Sequence, residues 1–489
     1  MNMAVETKKK KTLWNFVDSL EGDKVVWMIV ILLILFSIVA IFSSTPLLAL
    51  MQKTNRMSIF REHLIVCALG LGVIIVCCNI KKIGFFRIVS QLGYAISIVL
   101  LSLLLLASTS CKDTSMSLGP ITIKKINDAW RVVSIMGLQL HVFEVAKVAM
   151  IMYLAWAVNA CRNDSFMIAN RLAEKYPVWK KPTVKKIAYL YFPIFSVCLC
   201  MMPGSLTSTL FTGGIMFITI LIGGINVKEL VKPIGTGIVL LALCFCVNSA
   251  WPNENKPFPH LTSAINRVIG DDVDDYLMKM RENTQNSKAF QDALDKARQP
   301  VSAKIAIHEG GLIGKGPGKS TQRYIVPVMF EDYMFSFIVE EYGLIGGFIV
   351  LMLYISLLAR GSIIVRNCDN HFAKTAVAGL VLLITGQAMM HIVVNCDVGI
   401  HTGQTLPMIS HGNSSFLMFS LAFGIILSIS KMAKRKIERE AAEAKPLVDR
   451  EITESEPTAQ ESVREDLSAT LPEHENDSPD YGINDHNNE

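Results

Sequence analysis

Long apolar runs separated by short polar segments are the dominant pattern along this chain of 489 residues. Stretches such as WMIVILLILFSIVAIF and AISIVLLSLLLLA lie within runs of about 18 to 25 residues, which match the roughly 30 Å hydrocarbon thickness of a bilayer. The pattern predicts ten transmembrane helices, at about 25–42, 63–80, 88–108, 133–159, 187–203, 206–226, 234–250, 329–359, 373–395 and 413–430. The predicted fold class is an all-α polytopic membrane protein with one large extracytoplasmic loop.

The predicted helices divide the chain into five segments. The first apolar run is longer than the core of a signal peptide and lacks a convincing small-residue cleavage site, so we expect it to be retained. The segments are a cytoplasmic N-terminal segment 1–24, helices 1–7 in 25–250, the large extracytoplasmic loop 251–328, helices 8–10 in 329–436, and an acidic cytoplasmic tail 437–489.

Charge is unevenly distributed along the chain. The net charge is +5, yet 16 acidic and only 4 basic residues lie between Ile437 and Glu489. The tail is therefore strongly acidic and is predicted to be disordered, because it has little apolar surface to bury. The remaining body is cationic, which suits contact with anionic lipid head groups or a phosphorylated lipid substrate.

Basic residues near the ends of the predicted helices indicate the orientation. With a cytoplasmic N-terminus, the inside segments up to Lys436 hold 23 Lys and Arg and the short outside loops hold 7. Lys and Arg in short loops favour the cytoplasmic side, whereas long loops cross regardless of charge. The predicted location is the bacterial inner membrane, with both termini in the cytoplasm.

The eleven cysteines do not form a recognisable metal or disulfide pattern. Most lie inside apolar runs, where a free cysteine behaves as a small hydrophobic residue, and no CxxC pair is present. Cys111 and Cys396 fall in or near loops, and their redox state is left open. Metal ligands cannot be assigned from the sequence.

A glycine-rich loop leads directly into an apolar segment that carries carboxylates. Asp332 and the adjacent Glu331 lie where this eighth span begins. Carboxylates at membrane depth are costly and are therefore functional candidates. Partial burial raises a carboxylate pKa and suits it to act as a general base. A helix N-cap is the structural alternative for Asp332, and Glu331 is a competitor for either role.

The loop GLIGKGPGKS resembles a nucleotide-binding P-loop only in part. The P-loop pattern requires glycine at the position that Ile313 occupies. We therefore expect neither a nucleotide cofactor nor a nucleic-acid partner. Backbone amides of the loop, with Lys315 and Lys319, could meet a phosphate. A plain turn explains the glycines equally well.

Two further polar groups interrupt apolar spans. Glu144 and Lys147 are three residues apart on one helical face, so they can form a structural ion pair or line a cavity for an anionic head group. Arg131, just upstream, could serve the same cavity. Near the last span, Pro407 and the stretch 412–415 break the helix at membrane depth, which is tolerated where backbone is buried in protein or lines a cavity.

Taken together, these motifs resemble the SEDS family of cell-wall polymerases, of the FtsW/RodA type. The resemblance rests on AWRVVSIMGLQLHVFEVAK, KIAIHEGGLIGKGPGKSTQ, PVMFEDYMFSFIVEEYGLIGG, GQAMMHIVVN and TGQTLPMISHGNSS, in that order along the chain to about Lys436. The family also has ten spans and a catalytic aspartate, which corresponds to Asp332. Departures from the usual pattern are Phe330 and Glu331 in place of His-Thr, His411 in place of Tyr, and Gly204 in place of Asp after Pro203.

The resemblance implies a peptidoglycan glycosyltransferase that polymerises lipid II and releases undecaprenyl pyrophosphate. Asp332 would be the general base. Cations near the leaving group would come from basic side chains or from a divalent metal, Mg or Mn. The substrate-binding residues that the resemblance implies are Arg131, Glu144, Lys147, Lys315, Lys319, Gln322, Ser414 and Ser415.

The family also implies partners, namely a class B penicillin-binding transpeptidase and other division proteins. The long acidic tail favours the division type, located at the septum, over the elongation type. Two other classes of function fit the same pattern. Intramembrane charge and broken helices are typical of a lipid II flippase or transporter as well. A scaffold that recruits division proteins through its tails would need no catalysis.

Overall fold

The computed structural model describes most of the chain. The described residues are 21–110, 115–119, 121–126, 129–135, 138–250, 278, 280–282, 288–326, 328–398 and 403–438. Much of the predicted extracytoplasmic loop and nearly all of the acidic tail therefore lie outside them. The chain forms two units, Met1–Ala433 and Lys434–Glu489, and the fold below is that of the first.

The described parts of the chain are predominantly helical, as the apolar runs predict. They contain nine helices long and apolar enough to cross a membrane. The predicted span 206–226 is present as a shorter apolar helix of 17 residues. The helices are α1 Lys24–Ser44, α2 Pro46–Met51, α3 Arg56–Cys78, α4 Ile83–Ser110, α5 Val142–Asn163, α6 Met167–Lys175, α7 Pro182–Met201, α8 Leu206–Ile222, α9 Val227–Ala250, α10 Lys288–Gly310, α11 Met334–Asn367, α12 His371–Asn395 and α13 Asn413–Glu438.

Polar side chains fix the ends of several helices. Asp23 Oδ1 accepts hydrogen bonds from the N–H groups of Val25 and Val26 at 3.0 and 3.2 Å, which satisfies free donors of α1. Its Oδ2 pairs with Arg360 of α11 at 2.6 Å. This ion pair ties the start of α1 to α11.

A four-stranded antiparallel sheet precedes α5, and the sequence analysis did not predict it. Its strands are β1 Ser115–Leu118, β2 Ile121–Ile126, β3 Ala129–Ile135 and β4 Leu138–His141, in the order β1-β2-β3-β4. The predicted span 133–159 therefore starts too early, because the helix begins at Val142. That span takes in the end of the apolar sequence AWRVVSI, whose β-branched residues suit a strand equally well.

Helix α5 forms the centre of the bundle. It packs against α4, α8 and α12, and nearly all of its apolar residues are buried. Helix α9 is the opposite case, since its buried residues are few. The predicted span 329–359 also shifts, because residues 328–333 form turns and α11 begins at Met334.

Helix α11 is broken at Gly343. The backbone there has φ +69° and ψ −176°, a conformation that glycine alone adopts readily. The break releases the carbonyls of Glu340 and Glu341 from helical pairing. They accept hydrogen bonds from the N–H groups of Lys315 and Gly316, both at 2.9 Å. The glycine-rich loop is thus joined to α11 through backbone hydrogen bonds.

Candidate active site

Directly before α11, both candidate bases, Glu331 and Asp332, lie in the turn 328–333. Three contacts hold its backbone: Ser410 Oγ donates to the carbonyl of Glu331 at 2.8 Å, the His411 N–H donates to the carbonyl of Phe330 at 2.9 Å, and Asn395 Nδ2 donates to the carbonyl of Asp332 at 3.1 Å. Because these donors come from two other parts of the chain, the turn is positioned by tertiary contacts.

The start of α11, directly after this turn, receives its caps from α12. Residue Tyr333 at the N-cap position makes no side-chain capping hydrogen bond. Instead, the N–H of Phe335 donates to His391 Nε2 at 3.3 Å, and the N–H of Ser336 donates to Asn395 Oδ1 at 3.0 Å. The free donors of a helix start need acceptors when they are buried. Two residues four apart on α12 supply them.

Lys147 connects three elements at the inner wall of the site. Its Nζ donates to Glu144 Oε1 at 2.8 Å, to Gln387 Oε1 at 2.9 Å and to Gln404 Oε1 at 2.8 Å. An ammonium group has three N–H donors, so these acceptors account for all of them. The side chain is 1% exposed. The predicted pair with Glu144 is present, and the network keeps the charge of Lys147 compensated.

The sheet contributes two side chains from the opposite wall. The Nε and Nη2 atoms of Arg131 on β3 both donate to the carbonyl of Gly204, at 3.2 and 3.1 Å. His141 ends β4, and its backbone N–H donates to Ser414 Oγ at 3.0 Å. The first two bonds hold the guanidinium of Arg131 against the segment between α7 and α8, and the third holds the backbone of His141 against Ser414.

These elements surround a polar cavity of about 160 Å³. Its lining combines acidic, basic and neutral polar residues with a few apolar ones. The backbone at Gly403 comes so close to Asp332 that a Cβ there would lie 3.2 Å from Asp332 Oδ2. The lining residues are Arg131, His141, Phe143, Glu144, Lys147, Ser208, Val328, Glu331, Asp332, Gly403, Gln404, Thr405, Gly412 and Ser415.

Burial controls the protonation of the two adjacent carboxyls. It raises the pKa of Asp332 above the ordinary range of an aspartate, while the guanidinium of Arg131 acts to lower it. Burial also raises the pKa of Glu331, and the neighbouring charge of Asp332 raises it further. Arg131 thus favours the ionised form of Asp332, and Glu331 holds its proton more strongly. A carboxyl with a raised pKa beside a cation can accept a proton near neutral pH.

The structure brings together part of the predicted site. Arg131, Glu144, Lys147, Asp332 and Ser415 all line the cavity. Ser414 lies beside it and contacts His141 through its hydroxyl. The glycine-rich-loop residues among the predicted substrate contacts, Lys315, Lys319 and Gln322, do not line this cavity.

Two of those loop residues instead belong to a second polar cluster around Glu340. Glu340 Oε1 accepts hydrogen bonds from the N–H groups of Thr321 and Gln322, at 2.8 and 3.3 Å, and from Lys315 Nζ at 2.9 Å. Ser320 Oγ donates to its other oxygen. Lys315 also pairs with Glu309. Lys319 is exposed on the same loop.

The neighbouring Glu341 is held in the same way. Its Oε1 accepts from the N–H of Gly318 at 3.0 Å and from Ser43 Oγ at 2.6 Å, and Arg323 Nη1 lies 3.6 Å away. Both glutamates are almost fully buried. We call residues 310–323, together with Glu340, Glu341 and Gly343, the Gly343 clamp.

Several residues that line the cavity were missed in the sequence. Thr405 Oγ1 contacts Ser415 Oγ at 2.9 Å, and Gln404 Nε2 donates to Ser208 Oγ at 2.5 Å. His141 stands three residues before Glu144 and could have been noticed from that spacing. The others come from separate loops and helices without a local pattern, so tertiary structure was needed to find them.

The cavity offers few ligands for a metal. Within the described ranges, no group of three or more His, Cys, Asp and Glu residues is placed to hold an ion. Glu331 and Asp332 are the adjacent carboxylates that could contribute oxygen ligands. The expected Mg or Mn ion stays a prediction.

The described residues thus form a polytopic helical membrane protein whose polar cavity sets carboxylates beside basic side chains. A family model described as "Cell cycle protein", FTSW_RODA_SPOVE, matches residues 23–435. The chain therefore belongs to the FtsW/RodA/SpoVE family.

Curated relatives agree with this assignment. The chain is 37% identical over 131 residues to a protein of Caulobacter vibrioides named "Probable peptidoglycan glycosyltransferase FtsW", and 31% identical over 157 residues to "Stage V sporulation protein E" of Bacillus subtilis. These matches cover 27% and 32% of this chain, and 34% and 43% of the relatives' own length. A Geobacter metallireducens relative, also named as a probable FtsW, is 23% identical across 84% of this chain and 95% of its own.

Solved structures share the fold at low sequence identity. A chain from a peptidoglycan synthase complex, described as coordinating polymerization and crosslinking, has a TM-score of 0.56 and 18% identity, and the match covers 84% of this chain and 98% of that one. The rod shape determining protein RodA of Thermus thermophilus has a TM-score of 0.50 and 17% identity, with coverage of 85% and 98%.

Proposed function

We propose that this protein is a peptidoglycan glycosyltransferase that polymerises lipid II into glycan strands. The observation that carries the proposal is Asp332, half-buried in the wall of a cavity that also contains Arg131. Family membership supports the same activity, because curated relatives carry the name peptidoglycan glycosyltransferase. The chemistry of such a reaction needs one proton acceptor and a site for developing negative charge.

The proposed reaction uses Asp332 as the general base. The acceptor sugar hydroxyl gives its proton to the carboxylate and attacks the anomeric carbon of the donor. The new C–O bond forms as the bond from that carbon to the phosphate oxygen breaks. The bonding electrons leave with undecaprenyl pyrophosphate. Arg131 lies where it can offset the charge that develops there, and it also favours the ionised form of Asp332 before the reaction.

The partner and location follow from the same proposal. A class B penicillin-binding transpeptidase is the expected partner, supported by the fold similarity to a chain of a complex that coordinates polymerization and crosslinking. The helices support a multi-pass membrane protein. We propose the bacterial inner membrane, cytoplasmic termini and the septum on the basis of the charge pattern and the acidic tail.

The test is lipid II polymerisation by purified Asp332→Asn. Asparagine keeps the size and capping ability of aspartate but cannot accept a proton. We expect a loss of about 10²-fold or more in rate, the usual contribution of acid–base catalysis. Thermal stability in detergent should be unchanged, since the Asp332 contact to Asn395 uses the backbone carbonyl.

Glu331→Gln is the matched control, because it removes the neighbouring carboxyl from the same turn. A normal rate for Asp332→Asn together with a loss for Glu331→Gln would move the base by one residue. Normal rates for both would exclude this mechanism and favour a transporter or scaffold role.

A further inference from the structure

The cations of the cavity are already engaged by the protein. All three donors of Lys147 are bonded to glutamate and glutamine oxygens. Arg131 uses its Nε and Nη2 atoms on the carbonyl of Gly204. A diphosphate that enters the cavity must therefore compete with these acceptors for the donors of Lys147 and for the Nε and Nη2 donors of Arg131. A further group that can become positive would lower the free-energy cost of burying the negative charge of the diphosphate.

His141 is placed to be that group. It lies at the junction of β4 and α5, and its backbone is fixed by the hydrogen bond from its N–H to Ser414 Oγ. It occupies the N-cap position of α5, yet its side chain makes no capping hydrogen bond. His141 is one of the residues that line the cavity, as are Phe143 and Arg131.

The charges around His141 keep it neutral while no anion is bound. Burial lowers the pKa of the imidazole, and the positive charges of Arg131 and Lys147 lower it too, against the opposing effect of Glu144. The start of α5 adds the positive end of a helix dipole. Glu331 and Asp332 are the other titratable groups of the cavity. A bound phosphate group would reverse the balance, since a nearby negative charge favours the imidazolium form.

We propose that His141 binds the diphosphate of the lipid-linked substrate and product, being neutral in the empty cavity and protonated once the diphosphate enters. The inference rests on the proposed function for the identity of the ligand. Binding then takes up one proton from solvent and breaks no covalent bond. The imidazolium provides a hydrogen-bond donor and a positive charge beside the leaving group, while Lys147 keeps its three partners.

The test is calorimetric binding of undecaprenyl pyrophosphate to the purified full-length protein in detergent, repeated in buffers of different ionisation enthalpy to count protons. Some protons are taken up or released by the phosphate groups of the ligand itself. Beyond these, we expect the wild-type protein to take up nearly one proton per ligand bound. The affinity should fall by up to tenfold per pH unit on the alkaline side, as linkage requires for one proton.

His141→Gln isolates the contribution of the imidazole, because the ligand's own titration is common to both proteins. We expect the extra proton uptake to vanish and the affinity at neutral pH to fall at least fivefold. His141→Lys carries a permanent charge and should restore affinity without proton uptake. If His141→Gln does not fold, His141→Lys replaces it in the test, because the loss of the extra proton uptake is expected in that variant too. Equal proton uptake in wild type and variant, or no binding of undecaprenyl pyrophosphate by wild type, would overturn the proposal.

The outcome also separates this inference from the proposed function. Wild-type protein that polymerises lipid II, with proton uptake unchanged in His141→Gln, would refute the role of His141 alone. Proton uptake that depends on His141, in a protein that does not polymerise lipid II, would refute the glycosyltransferase and leave diphosphate binding intact.

Discussion

The cavity borders the start of a short helical stretch, residues 334–342 of α11, and the Gly343 clamp includes the end of it. Asp332 precedes this stretch and Gly343 follows it. Both regions place carboxylates beside basic residues. In the clamp, Glu340 receives hydrogen bonds from backbone amides, hydroxyls and Lys315, and it is fully buried. At the cavity, Asp332 is half-buried, and the space in front of its carboxylate is polar and open.

The difference shows how to separate structural from functional charge in a membrane protein. A charged group whose donors or acceptors are all used by the protein stabilises the fold and has none left for a substrate. Lys147 resembles Glu340 in this respect, although it lies at the cavity. The comparison has to be made atom by atom, because position and residue type do not show which donors the protein already uses.

The largest expected effect comes from Gly343→Ala, which attacks the clamp. The backbone conformation is one that alanine rarely adopts, and an added Cβ would lie 2.2 Å from the carbonyl oxygen of Leu312. We expect a loss of more than about 3 kcal/mol of stability, or no folded protein, because the strain and the clash act together. Thermal unfolding in detergent measures it.

Gly311→Ala is the matched control, because φ there is +51° but no atom lies within 4 Å of the added Cβ. It should cost about 1–2 kcal/mol from backbone strain alone. Equal stability of the Gly343→Ala protein and the wild type would show that the clamp is not structural.

A smaller effect is expected on the cavity side from Arg131→Gln. The base must be ionised to act, and Arg131 holds the raised pKa of Asp332 down. Removing the cation should raise that pKa further, so the acidic limb of the pH–rate profile should move to higher pH by about one unit. The profile of lipid II polymerisation between about pH 5 and pH 9 gives the answer.

Lys81→Gln removes the same charge at an exposed position outside the cavity and should leave the acidic limb in place. An unshifted limb in Arg131→Gln would mean that the guanidinium does not act on the base.

The smallest effect is expected from Lys319→Ala. This side chain is exposed on the glycine-rich loop of the Gly343 clamp and does not line the cavity. We expect kcat and KM for lipid II to stay within about twofold of wild type, in line with ordinary surface substitutions. A rise of KM beyond about fivefold would make the glycine-rich loop part of the substrate site and would break the contrast between the two regions.

The helical bundle could be predicted from the sequence because apolar runs of membrane length rarely occur in soluble folds. The sheet could not, since AWRVVSI is mostly apolar and only a short segment separates it from the apolar sequence of α5, so the pattern favours one continuous span. Arg131, Lys147 and Asp332 were found because charge in an apolar run is conspicuous. His141, Gln404 and the α12 caps were not, because their role arises where separate segments meet.

The glycine-rich loop illustrates the same limit. Its glycines and lysines are the residue types that phosphate-binding loops use, so the sequence allowed that function. The acceptors that occupy its amides are the carbonyls and carboxylates of Glu340 and Glu341, about 20 residues further along. The break at Gly343 leaves those carbonyls free to bond to the loop. A glycine within an apolar run does not by itself predict such a break.

The side-chain caps that α12 provides to α11 also bear on how the cavity can widen. The amides of Phe335 and Ser336 are bonded to His391 and Asn395, so the base can move away only when two buried helices separate. Such large openings are reached far less often than the opening of peripheral segments. Arg131 is carried instead by a short strand outside the helical bundle. In the proposed reaction, Asp332 would therefore stay in place while the substrate binds, and we expect any widening of the cavity to come from the sheet, which carries Arg131.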